Sequence, residues 1–139
     1  MQVQAYLFFH GRCEEALTFY RESLGAEVPV MMRFRDCPDP LPPGMIPDGF
    51  DEKIMHAEFR IGDSIVMASD GCTAQAPSFQ GFALSISAPD ETQARRLFDK
   101  LADGGQVQMP LGKTFFSPCF GSVADRYGMN WMVVVPQPT

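Results

Sequence analysis

Residues 54–70, IMHAEFRIGDSIVMASD, decide the fold. The stretch reads as two strands folded on a two-residue turn at Gly62-Asp63. Strand side chains alternate between faces, so Met55, Ala57, Phe59 and Ile61 share one face and His56, Glu58 and Arg60 the other. With Gly62-Asp63 as the hairpin loop, Ile61 opposes Ser64, Phe59 opposes Val66 and Ala57 opposes Ala68, giving one continuous apolar face. The second face sets His56 opposite Ser69, Glu58 opposite Met67 and Arg60 opposite Ile65. A polar row mixed with Met and Ile is either a solvated sheet face or the lining of a cavity.

Upstream, residues 3–9 are β-rich and read as strand one. Cys13, Ala16, Leu17, Tyr20 and Leu24 follow at helical offsets. Glu14 and Glu15 suit the positive end of that helix, and Gly25 is placed to end it. Residues 27–34 read as a second strand, with Pro29 suggesting an edge or irregular position. Residues 35–53 read as a loop, because prolines 38, 40, 42, 43 and 47 with Gly44 and Gly49 exclude regular structure. So long a loop in a compact domain is usually functional or mobile.

Downstream, residues 71–80 form a linker of small and polar residues, and then the order repeats. Residues 82–87 read as a strand with Phe82, Leu84 and Ile86 on one face. Asp90 with Gln93 opens a helix in a capping-box pattern. Its stripe is Ala94, Leu97, Phe98 and Leu101, and Gly104-Gly105 ends it. Residues 106–111 read as a strand, and 116–124 with 130–135 as a last hairpin around Asp125-Arg126-Tyr127-Gly128. The chain therefore reads βαβββ twice, with Ala16, Phe19-Tyr20 and Leu24-Gly25 echoed by Ala94, Leu97-Phe98 and Gly104-Gly105. Each helix stripe must cover one sheet face. Phe59, Val66 and Ala68 are the expected covered residues in the first unit, and Phe82, Leu84, Trp131, Val133 and Val135 in the second. Two curled sheets with their other faces turned inward make a cup.

With 139 residues the chain has the size of one domain with a real core. Its 45% apolar and 20% charged residues are ordinary for a globular protein. A net charge of −6 and the lack of a basic run argue against a non-specific grip on nucleic acid or an anionic membrane. No apolar run approaches a membrane span, and the N-terminus reads as a strand, not a signal peptide. The expected location is cytoplasmic. There, Cys13, Cys37, Cys72 and Cys119, far apart and with no C-x-x-C pair, are most simply thiols.

Four stretches carry a family resemblance: AYLFFHGRCEEALTFYRESLGAEV, IMHAEFRIGDSIVMASD, GFALSISAPDETQARRLFDKLADGG and FGSVADRYGMNWMV. Together they resemble the vicinal oxygen chelate superfamily of glyoxalase I, bleomycin-resistance proteins and extradiol dioxygenases. The closer likeness is to its PhnB-like, 3-demethylubiquinone methyltransferase-like branch. The resemblance implies an α+β fold of two βαβββ modules, the glyoxalase/bleomycin-resistance fold, with curled mixed sheets forming a cup. One domain spans 1–139, with module one about 1–70, a linker 71–80 and module two about 81–139. It also implies a homodimer. In metal-dependent members four ligands sit on strands one and four of each module. Carried over, those positions fall on Ala5, Met67, Gly81 and Met132. Ala and Gly offer no donor atom, and Met thioether suits soft copper over zinc, magnesium or iron. Shifting by one, to Gln4, Tyr6, Val66, Ala68, Gln80, Phe82, Trp131 or Val133, supplies no better set. No metal or other cofactor is expected. Methyl transfer is disfavoured as well, since a nucleotide-derived methyl donor normally sits at a Gly-rich strand-to-helix turn of a parallel sheet, which this chain lacks.

The expected ligand-binding residues are His56, Glu58, Met67, Ser69, Gly81 and Met132. His56 and Glu58 are placed to act as a general base and its orienter, or to bind a displaced metal. The competing reading, favoured over a metal site, is that the row is a polar lining or faces solvent, with Glu58 paired to Arg60 or to a cross-strand neighbour. Two ligands make a poor zinc site, and no third His or Cys is near in sequence. His10, before Gly11, reads as a surface or capping residue, and Trp131 as packed under the helix. Met67 and Met132 would make a soft, adaptable cavity wall. Cys119 faces the cup if the last hairpin has a four-residue loop; with no basic partner nearby it reads as inert. Asp125 and Gly128 are turn residues, and Asp70 ends its strand. Loop 35–53 is a candidate lid, an excursion or a dimer contact. Arg33 and Arg35 at its base are candidates for an anionic ligand.

The expected function is metal-independent binding of a small, partly hydrophobic molecule. The alternative is a lyase, isomerase or oxygenase using His56 and Glu58, with or without a displaced metal. A third reading is a protein-interaction partner, which an exposed apolar patch outside the dimer contact would indicate.

Overall fold

The computed structural model describes residues 1–39 and 41–138; Pro40, one of the loop prolines, and Thr139 lie outside the described residues. Two compact units divide the chain, Met1–Pro77 and Ser78–Thr139.

The first unit holds β1 (Tyr6–Phe8), α1 (Cys13–Leu24), β2 (Glu27–Arg33), β3 (Ile54–Ile61) and β4 (Ser64–Ser69). Its sheet has the order β1-β4-β3-β2, with β1 parallel to β4 and the other pairs antiparallel. The central hairpin pairs Ala57 with Ala68, Phe59 with Val66 and Ile61 with Ser64. Gly62 turns it at φ 58°, a left-handed conformation that costs glycine little. Leu7, Ala57, Phe59 and Ala68 are buried against α1, whose own buried residues are Cys13, Ala16, Leu17, Phe19, Tyr20 and Ser23. Phe59 and Tyr20 stack with ring centroids 5.5 Å apart. Burying a side chain such as Phe59 contributes about 1.5–3 kcal/mol. Gly25 ends α1 at φ 68°, its N–H donating to the Arg21 carbonyl.

The second unit repeats the plan with β5 (Leu84–Ser87), α2 (Glu91–Ala102), β6 (Gln106–Gly112), β7 (Cys119–Ala124) and β8 (Asn130–Val135), in the sheet order β5-β8-β7-β6. The Asp90 carboxylate accepts from the Gln93 N–H at 2.8 Å and caps α2. Val123, Trp131 and Val133 are buried on the side that α2 covers.

Several expectations are corrected. The sheets do not curl into a cup. Each is an open sheet of four strands that keeps two edge strands, β1 and β2 in one unit and β5 and β6 in the other. Four strands are too few to close on themselves, which takes about eight. Strand one is shorter than 3–9: its ladder with β4 covers Tyr6–Phe8, although Phe9 still donates to the Ser69 carbonyl at 2.9 Å. Phe82 lies before β5 and is exposed, not covered. The loop 35–53 is not wholly irregular: two single 3₁₀ turns, Phe34–Asp36 and Phe50–Glu52, form at its ends, and their buried Phe34 and Phe50 rings lie 6.2 Å apart. The turns form where the prolines are absent.

Candidate functional site

The side of each sheet away from its helix carries a row of paired residues that crosses all four strands. In the first unit the row is Tyr6, Met67, Glu58 and Val30. In the second it is Ser85, Met132, Ser122 and Met109. The two rows occupy the same places in two copies of one topology, so Met67 and Met132 are structural equivalents. Their ladder neighbours Ala68 and Trp131 are buried, while the row residues are half-buried or exposed, as alternation requires.

On the first face the Tyr6 hydroxyl lies 2.8 Å from His56 Nδ1. The Tyr6 and Phe8 rings stack with centroids 5.1 Å apart. His56 Nε2 stands 3.9 Å from Glu58 Oε1, beyond hydrogen-bond length. Burial holds the Tyr6 phenol above its ordinary pKa; the negative charge that Cys13 would carry adds to this, and a Ser69 hydrogen bond opposes it. The phenol therefore keeps its proton at neutral pH. Ser69, itself buried, pairs with Phe8 and accepts from the Gly71 N–H at 2.9 Å. Arg60, further along, is engaged by Glu27.

The second face bears a groove of about 370 Å³ lined by Phe82, Met109, Phe120, Ser122, Asn130 and Met132 among others. That volume is within the range of small-molecule pockets. Gln108 Nε2 donates to Asn130 Oδ1 at 3.1 Å, and Asn130 Nδ2 donates to the Phe79 carbonyl at 2.7 Å, fixing one polar wall. The Met and Phe side chains make the rest apolar.

A larger depression of about 670 Å³ lies at the start of α1, between Arg12, Glu14, Arg33, Lys53 and Asp70. Its charges serve the fold. Arg33 grips Glu14 through two bonds of 3.0 and 2.6 Å and also donates to the Glu52 carbonyl. Lys53 donates to the Gly11 carbonyl at 2.9 Å. Asp70, 1% exposed, accepts from the N–H groups of Gly11, Cys13 and Ile54 at 2.7–2.8 Å. The strand-ending aspartate thus ties α1 to β3 and β4.

Of the six residues expected to bind ligand, His56, Glu58, Met67 and Ser69 come together on the first sheet. Met132 lies on the second. Gly81 precedes β5 and is not in the ladder; the residue paired with Met132 is Ser85. Likewise the residue paired with Met67 is Tyr6, not Ala5. From sequence, Tyr6 enters only as a one-residue shift of Ala5, and Ser85 does not enter at all. The all-apolar run around Tyr6 has no alternation from which parity can be read; around Ser85 the run Leu-Ser-Ile-Ser does alternate, and the residue assigned there, Gly81, lies before the strand.

The four-residue loop that would turn Cys119 to the open face does not form. The hairpin pairs Asp125 with Met129 through a 2.9 Å bond and turns on three residues, not four. That change of parity places Cys119 opposite Val135 on the buried face. Burial, and then Glu91, push its thiol pKa up. Trp131 is buried and donates its indole N–H to Asp125 at 2.8 Å. His10, at φ 50°, pairs its ring with the Gln75 carbonyl. Arg35 pairs with Glu52.

Among the described residues no three His, Cys, Asp or Glu side chains cluster closely enough to hold a metal ion. By the ladders, the positions that the resemblance assigns to ligands carry Tyr6 or Ala5, Met67, Ser85 or Gly81, and Met132. This donor set does not fit a hard divalent metal.

The family of 3-demethylubiquinone-9 3-methyltransferase matches residues 1–134. Protein YjdN of Escherichia coli strain K12 is 36% identical over 149 residues, spanning 100% of this chain and 99% of that protein. The solved structure of PA1353 from Pseudomonas aeruginosa is 39% identical, covers 99% of both chains and superposes with a TM-score of 0.85. That of a PhnB protein from Bacillus cereus is 26% identical, covers 97% of this chain and 99% of its own, with a TM-score of 0.79.

Proposed function

We propose a function for a chain that belongs to the PhnB-like branch of the vicinal oxygen chelate superfamily: metal-independent binding of a small, partly hydrophobic molecule on the open faces of its sheets. The observation that carries this reading is the pair of equivalent rows, Tyr6-Met67-Glu58-Val30 and Ser85-Met132-Ser122-Met109. Where relatives hold a metal, this chain offers thioethers, hydroxyls and aromatic surface. A methionine wall adapts to varied ligand shapes, and the few polar groups beside it give orientation. The working form is a cytoplasmic homodimer, in keeping with the family resemblance.

A ligand that prefers the folded state raises its melting temperature. The test is a thermal-melt screen of small aromatic and antibiotic-like compounds with a chelator present. Stabilisation by an apolar compound that survives the chelator, and that weakens in Met67→Glu or Met132→Glu, supports the reading. Stabilisation that appears only with an added divalent metal overturns it.

One observation favours a second reading. The Tyr6–His56 hydrogen bond beside Glu58 is an arrangement that could move a proton on a bound substrate, as in a metal-free lyase or isomerase. Turnover lost in both His56→Gln and Glu58→Gln, with binding retained, would select it.

A further inference from the structure

The first-sheet face sets a ring nitrogen and a carboxylate at a spacing that points to a ligand class; this inference rests on the binding reading above. The Tyr6 hydroxyl is 2.8 Å from His56 Nδ1. With the phenol donating, Nδ1 is the acceptor and the ring proton is on Nε2. Nε2 then faces the Glu58 carboxylate across 3.9 Å, too far for a direct bond. An oxygen about 2.8 Å from each atom would see them at roughly a right angle, which one hydroxyl can satisfy. A hydroxyl both accepts and donates. A carbonyl or ether cannot donate to Glu58, and an ammonium cannot accept from Nε2–H. Around this step the face is aromatic and soft: Tyr6 and Phe8 stack at 5.1 Å, and Met67 pairs with both Tyr6 and Glu58.

We propose that the space between His56 Nε2 and Glu58 Oε1 is a subsite for the hydroxyl of a phenol, whose oxygen accepts from Nε2–H and whose proton is held by the Glu58 carboxylate, while its ring lies on Phe8, Tyr6 and Met67. Tyr6 acts as a positioning residue that fixes the tautomer of His56. No bond is made or broken in this recognition.

The test uses the full chain labelled with ¹⁵N in histidine and ¹³C in the methionine methyls, titrated with p-cresol and with its methyl ether, 4-methylanisole. The ether keeps the ring but cannot donate to Glu58. The expected result is His56 in the Nε2–H tautomer, an Nε2 resonance that moves with p-cresol, and binding at least tenfold tighter for p-cresol than for the ether. Glu58→Leu, which leaves no acceptor for the phenol O–H, should bring p-cresol to the affinity of the ether. Tyr6→Phe should mix the tautomers of His56, a change that mere loss of stability would not produce. Equal affinity for the two probes, an unmoved Nε2 or the opposite tautomer overturns the proposal. If the Met67 methyl moves with both probes while His56 stays still, the phenol subsite fails and the binding reading stands. If neither residue responds to either probe, the phenol subsite fails, and the binding reading fails for this face.

Discussion

Tyr6 on β1 and His56 on β3, fifty positions apart, share a hydrogen bond of 2.8 Å. The two strands are not neighbours: β4 runs between them in the sheet. The bond therefore spans β4 on the open face, and it ties the three-residue edge strand β1 to the centre of the sheet. Tyr6→Phe should cost about 0.5–1.5 kcal/mol of stability, read as a lower urea midpoint with an unchanged slope. His56→Phe should cost a similar amount, and the double variant should cost less than the sum.

Asp70 should be the most sensitive polar position in the first unit. Its buried carboxylate accepts three backbone N–H bonds, and Asp70→Ala would leave those donors without a partner. A loss of about 3 kcal/mol or more is expected in chemical denaturation. Asp70→Asn keeps one oxygen for Gly11 and Cys13 but turns an amide N–H towards that of Ile54, so it should fall between wild type and Ala.

The Arg33–Glu14 pair should leave a signature at acid pH. The Arg33 hydrogen bond holds the Glu14 carboxyl below its ordinary pKa, against a smaller opposing effect of burial. A depressed carboxylate adds stability that is complete above the unfolded value, about 4.3, and is lost as pH falls through the folded one. Stability curves should therefore separate wild type from Glu14→Gln at neutral pH and converge on acidification. The pair is half exposed, so the separation should stay below about 1 kcal/mol.

The cysteines should differ sharply in reactivity. Cys72 is exposed, Cys37 is half-buried, and Cys13 and Cys119 are buried. Burial chiefly, with the negative charges of Asp70 and Glu14, drives the Cys13 thiol far above its usual range. Since the thiolate is the reactive form, iodoacetamide followed by mass spectrometry should label Cys72 first and Cys37 next. Cys13 and Cys119 should react only on unfolding. The raised Cys13 pKa also means that stability is full below the unfolded thiol value, about 8.5, and declines above it as the unfolded thiol ionises. Cys13→Ala should flatten that decline.

The hairpin of β3 and β4 was legible because its register follows from one two-residue turn and clean alternation. Pro29 marked β2 as an edge strand for the same kind of local reason: a residue without an N–H cannot serve both neighbours. The partner of β1 was not legible. Its parallel pairing with β4 is set by tertiary packing, and YLFF alternates nothing, so the sequence cannot choose between Ala5 and Tyr6, which the ladder pairs with Met67. The side that Cys119 faces turned on one residue of loop length, since a single step reverses every side chain that follows. The cup failed for a different reason. The pattern of apolar residues defines which face of a sheet is covered, and says nothing about how far four strands bend.

The most direct test is a methionine-methyl spectrum of chelator-treated protein titrated with an apolar compound that stabilises it. Shifts are expected at Met67, Met132 or both, unchanged by adding zinc, magnesium or manganese. Shifts that require one of those metals, or binding that leaves both methyls unmoved, would contradict metal-independent binding at these methionines.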